Sequence, residues 1–108
     1  MIMGKIKPLK PNEVKDRKES EIPDYVIEAV NNLIVKNYRE AGFTIKQKDI
    51  ITEIISLSSP KITSEEIFKN DYLEFENIFR KNGWSVSYDK PGYSESYDAF
   101  FKFGPIKK

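Results

Sequence analysis

Around a proline–glycine turn near the C-terminus the chain groups three carboxylates, Asp89, Glu95 and Asp98. Oxygen ligands gathered in this way are what a hard cation takes. The spacing matches no calcium or magnesium loop, and carboxylates in an exposed turn are ordinarily solvated, so no metal site is assigned and no cofactor is expected. Residue type excludes most other chemistry. The 108 residues contain no histidine and no cysteine, which removes the usual general base near neutral pH, the thiolate nucleophile and the Cys-based zinc site. A phosphate-binding glycine loop and a nucleophile elbow are also missing. The chain therefore reads as non-enzymatic, with no small-molecule substrate.

What remains is recognition by aromatic and charged side chains, concentrated in GWSVSYDKPGYSESYDAFFKF, residues 83–103. From Trp84 the apolar spacing becomes two: Trp84, Val86 and Tyr88 alternate with serines, and Tyr97, Ala99, Phe101 and Phe103 alternate with Asp98, Phe100 and Lys102. That is the period of a half-buried strand. Pairing the runs antiparallel, with Tyr88 opposite Tyr97, Val86 opposite Ala99 and Trp84 opposite Phe101, places all three pairs on one face. The prediction is a β-hairpin with a loop from Asp89 to Ser96, in which Lys90-Pro91-Gly92-Tyr93 fits a type II turn. Most of the aromatic cluster is then core. Tyr93 at the loop tip and Phe100 on the opposite face are left over, and with Lys90 and Tyr88 they form the candidate partner-binding set.

Three amphipathic helices must carry this hairpin. Pro23 suits a first helical position, and Val26, Ile27, Val30, Leu33, Ile34 and Tyr38 recur at three- and four-residue steps until Gly42, a residue able to take φ > 0 and end the helix. Phe43-Thr44 forms a short extended piece. Thr44 as N-cap with Gln47 three residues on opens a second helix, with Ile50, Ile51, Ile54 and Ile55 on its buried face and Ser58-Ser59-Pro60 as its stop. Thr63 with Glu66, flanked by Ile62 and Ile67, carries the signature of a capping box and hydrophobic staple. Beyond it Phe68, Tyr72, Phe75, Ile78 and Phe79 keep helical spacing to Asn82-Gly83. Asn70-Asp71 are poor helix formers, so residues 64–82 form either one helix or a short turn followed by a second segment from about Tyr72.

Hydrophobic residues at 39% and charged residues at 32% are ordinary for one folded domain. Residues 1–22 read as a flexible basic tail: apolar residues are sparse and Pro8 and Pro11 interrupt helix. The tail carries a charge of +2 and residues 23–108 carry −1, giving the net +1. No apolar run reaches bilayer length and no signal-peptide core is present, so the expectation is a cytoplasmic protein without a membrane partner.

Helix, short strand, two helices and a terminal hairpin, over residues 23–104, resemble the winged-helix family in architecture; the fold class expected is α+β. The phrase GW-x-V-x-YDKPGY is similar to small phage-encoded proteins, which implies a bacterial host cell. The resemblance implies DNA binding by the third helix and the wing, with Lys69, Arg80, Lys81 and Lys90 as the contacts. Charge argues the other way. Between Glu65 and Asn82 five acids (Glu65, Glu66, Asp71, Glu74, Glu76) oppose three bases, and a binder of polyphosphate ordinarily shows a basic face. Two readings follow. The preferred one is a protein-interaction module, with a protein partner or self-association through the wing and third helix; the alternative is a winged-helix DNA-binding protein that also uses the N-terminal tail.

Overall fold

The change of period at Trp84 marks where helices give way to sheet. The structure, a computed structural model, describes residues 8–105, without the side chain of Lys15. Along them run α1 (Pro11–Ser20), α2 (Asp24–Asn37), β1 (Phe43–Lys46), α3 (Gln47–Leu57), α4 (Ser64–Lys69), α5 (Glu76–Lys81), β2 (Trp84–Asp89) and β3 (Phe100–Pro105). The class is α+β, with an antiparallel three-stranded sheet in the order β1-β3-β2. Among the described residues there are five helices where three were expected.

The first extra helix lies in the segment read as a tail. Pro11 stands at the first helical position, where its missing N–H costs no hydrogen bond. Glu13 reaches back to accept from the Lys10 backbone N–H at 2.9 Å, and Arg17 and Lys18 occupy the last turn, where cations suit the helix dipole. Proline here starts a helix rather than breaking one. Residues 1–7 of the expected tail lie outside the described residues.

The second extra helix comes from a break at Asn70-Asp71. The Thr63–Glu66 capping box forms as expected, and Glu66 N–H donates to Thr63 Oγ1 at 3.2 Å. Asp71 then adopts φ 57°, left-handed for a non-glycine residue. The chain becomes helical again at Glu76 rather than at Tyr72, because fully buried Phe75 anchors the re-entry.

Two other boundaries move. α2 stops at Asn37, and Gly42, at φ 121°, serves the turn into β1 instead. Thr44 is a strand residue rather than an N-cap, because β1 pairs along its whole length with β3, Phe43 opposite Phe103 and Ile45 opposite Phe101. α3 accordingly begins at Gln47, whose N–H donates to the Ala99 carbonyl across the sheet at 2.9 Å.

The hairpin exists in a different register from the expected one. Val86 faces Phe103, Tyr88 faces Phe101 and Trp84 faces Pro105, a slip of four residues along β3. An even slip keeps every side chain on its face, so Val86, Phe101 and Phe103 are buried as expected. The deciding contact is on β1: the rings of Phe43 and Phe103 stack 5.7 Å apart, within 8° of parallel. Phe103 also meets Phe79 at 6.0 Å and Trp84 at 6.1 Å, and Phe75 lies 4.8 Å from Phe101. Val26, Val30, Ile50, Ile54 and Ile67 complete the core.

Truncation of this aromatic centre should be far more damaging than loss of a cap. In urea unfolding, Phe75→Ala is expected to cost about 3–5 kcal/mol, and Thr63→Ala about 1 kcal/mol. Equal costs would show that Phe75 does not bear the packing described.

Candidate functional site

The connection between β2 and β3, residues 90–99, leaves the sheet as a loop but is tied at several points. Tyr97 folds back so that its hydroxyl donates to the Asp89 carboxylate, with the Lys90 carbonyl 2.8 Å away. Gly92 N–H donates to Glu95 Oε1 at 2.8 Å, and Glu95 N–H donates to the Gly92 carbonyl at 3.1 Å. The turn thus spans Gly92–Glu95, not Lys90–Tyr93, and Gly92 does not take positive φ. Lys48 on α3 pairs with Asp98 at 3.2 Å. Tyr93, at the apex, is fully exposed at 109%. The bond to Asp89 pushes the Tyr97 hydroxyl up to about 12, because ionising it would set two negative oxygens together.

The candidate partner-binding residues do not form one patch. Tyr93 and Lys90 are on the loop. Phe100 is half-buried on the outer sheet face, its ring 6.1 Å from Tyr97. Tyr88 is on the inner face, its ring tilted against Phe101 at 4.8 Å, with its hydroxyl donating to Gln47 Oε1 at 2.6 Å. Burial, aided by the charge of Glu76, raises its pKa.

The expected DNA contacts are similarly divided. Arg80 donates through Nε and Nη2 to the Val86 carbonyl at 3.2 and 2.6 Å. Lys81 lies 3.0 Å from Glu19 and 3.7 Å from Asp16, both on α1. Lys69 and Lys90 are exposed, and their ammonium groups make no ion pair or hydrogen bond among the described residues.

Sequence reasoning missed the seam between α1 and the α4–α5 region. Lys18 meets Asp71 at 2.9 Å, and the bond holds the Asp71 carboxyl below its usual range. Burial, then the neighbouring Asp71, pushes the Glu74 carboxyl up. Beside this seam lies a cleft of about 320 Å³, walled by Phe68, Leu73, Glu76 and Tyr88. Phe68 is 52% exposed, although its helical spacing suggested core. The signal available in the sequence was the weak helix propensity of Asn70-Asp71, which bends α4 away before Phe68 can be covered.

Asp89, Glu95 and Asp98 each turn to a different partner, and no group of three or more potential metal ligands converges among the described residues. No described helix is long and apolar enough to cross a membrane. No protein-family model, curated protein or solved structure matches this chain.

The Tyr97 bond sets a pH window. The folded loop holds the neutral hydroxyl, so the bond contributes fully below the ordinary tyrosine value of 10 and is lost as pH rises through about 12. A tyrosinate titration by near-ultraviolet absorbance should show a last phase near pH 12 that Tyr97→Phe removes. An unchanged last phase in that variant would assign it to another tyrosine.

Proposed function

We propose that the chain is a non-enzymatic interaction and regulatory module, of phage type, that binds a protein partner through the hairpin loop and the α4–α5 side. The observation that carries this reading is Tyr93: a large amphipathic ring, wholly exposed, on a loop whose shape is already fixed by Tyr97, Gly92 and Glu95. Tyrosine offers contact area at low entropic cost, and a loop ordered before binding loses less freedom on association. The order α2, β1, α3, α4–α5 and hairpin supports a winged-helix-like frame, with α4 and α5 together in the place of a third helix. On this reading the partner is a protein of the bacterial cytoplasm or a second copy of the chain.

The DNA-binding alternative is favoured by the two unpaired cations Lys69 and Lys90, and opposed by the rest of the surface. Of its four contacts, Arg80 and Lys81 are engaged within the protein, and the connection between α4 and α5 adds the acids Asp71 and Glu74. Releasing those cations to phosphate would strip partners from the Val86 carbonyl, Asp16 and Glu19.

One comparison separates the two. Quantitative pull-down from host lysate should yield a partner whose affinity falls at least tenfold in Tyr93→Ala, a hot-spot loss of about 1.4 kcal/mol or more. The control Val35→Ala, at another exposed apolar side chain, should leave it unchanged. Mixed-sequence duplex DNA should not bind measurably at about 50 mM salt, where phosphate contacts are strongest. Tight duplex binding weakened by Lys69→Ala and Lys90→Ala, with no protein captured, would reverse the assignment.

A further inference from the structure

The cleft beside α4 and α5 holds apolar surface in contact with water. Its walls carry the rings of Phe68 and Tyr88, 52% and 39% exposed, with half-buried Leu73 beside them. Phe101 closes it from the sheet. Asp71, at φ 57°, turns the chain away from Phe68 and so leaves that ring uncovered.

The lining charge is of one sign. Asp71, Glu74 and Glu76 line the cleft, and no basic side chain among the described residues does. Lys18 reaches one end from α1 and meets Asp71 at 2.9 Å, so this rim already receives one ammonium. Glu74 and Glu76 make no ion pair among the described residues. Burial and the neighbouring Asp71 push the Glu74 carboxyl up, a sign of negative charge that the fold leaves under-compensated. Arg80 borders the adjoining hollow, its guanidinium committed to the Val86 carbonyl. With that charge and Lys18 both counted, Asp71, Glu74 and Glu76 still outnumber the cations three to two.

From this pairing of bare rings with unpaired carboxylates we infer that the cleft receives an arginine of a partner protein, together with an apolar side chain next to it. The guanidinium meets Glu74 and Glu76 and lies against the exposed rings, while the apolar neighbour covers Leu73. Arginine suits the site better than lysine. Its planar fork offers a carboxylate two donors, and its weakly hydrated face stacks on an aromatic ring. An acidic segment would set like charges together, and the same rim repels a polyphosphate. At about 320 Å³ the cleft is at the small end of ligand-sized pockets, room for a protruding segment rather than a globular surface. The inference narrows the protein-partner reading to one class of segment and rests on it.

The probe is a short, labelled, end-capped peptide of alternating leucine and arginine, followed by fluorescence anisotropy at about 50 mM salt. It should bind, and versions with glutamate for arginine or serine for leucine should bind at least about tenfold more weakly. Glu74→Gln combined with Glu76→Gln, which removes charge and keeps shape, should weaken the parent peptide about tenfold. Phe68→Ala should weaken it about threefold. Glu40→Gln, at an exposed carboxylate beside the outer sheet face, should change nothing. Amide shifts on binding should centre on Phe68, Leu73 and Tyr88. The inference fails if no peptide binds, if the glutamate version binds as tightly, or if Glu40→Gln is as harmful as the paired substitution. Self-association abolished by that pair, with no peptide bound, would make a second copy the occupant and overturn it. Host-protein capture that needs Tyr93 but not Glu74 and Glu76 removes this inference and keeps the partner reading. Peptide binding at the cleft, with capture indifferent to Tyr93→Ala, upholds the inference and removes the loop from that reading.

Discussion

The structure depends on β3 having a partner on each side. A two-stranded hairpin is marginal in water, and β2 with β3 alone would leave Phe101 and Phe103 only partly enclosed. The four residues of β1 close the sheet. The backbone donors are shared out by the alternation of an antiparallel ladder: Gln47 N–H reaches Ala99, so the odd-numbered residues of β3 face β1 and the even-numbered residues serve β2. The same alternation sends Phe101 and Phe103 inward, against Phe43, Phe75, Phe79 and Trp84, and leaves Phe100 and Lys102 outside. Core and exposed surface are opposite faces of one strand.

Availability of charge matters more here than its total. A net +1 suggests a featureless surface, yet the pairing is selective. α1 meets the α4–α5 side through Lys18, Asp16 and Glu19. Surface pairs of this kind contribute little each, but they fix which groups a ligand can reach. Lysines on the sheet face, the loop and α4 stay available, whereas Arg80 and Lys81, also suggested for DNA, do not.

Side-chain direction was legible in the sequence, and strand register was not. Alternation from Trp84 identified which residues face the helices, because a period of two is a property of the strand itself. Sliding β3 by four residues preserves that pattern, so only a third strand could choose between registers, and β1 chose through Phe43 and Phe103. Thr63 and Glu66 marked a helix start correctly because the capping box is local. Thr44 and Gln47 carry a similar signal that tertiary pairing overrode. Pro11 shows the reverse error: a residue read as a breaker stands at the one helical position that tolerates it. For the candidate site, Tyr93 and Phe100 were found as aromatics left outside the core, whereas the α4–α5 cleft arises from the left-handed turn at Asp71 and leaves no periodic trace.

Arg80 has a consequence beyond its withdrawal from ligand binding. Because β3 directs its even-numbered residues to β2, the Val86 carbonyl points to the side of β2 away from β3, where an open edge would offer a template to another chain. The guanidinium occupies that acceptor with two donors and places a fixed charge on the rim. That contact removes one acceptor from the rim of a sheet whose inner face is rich in phenylalanine, and a further strand approaching β2 would have to displace the guanidinium to pair there.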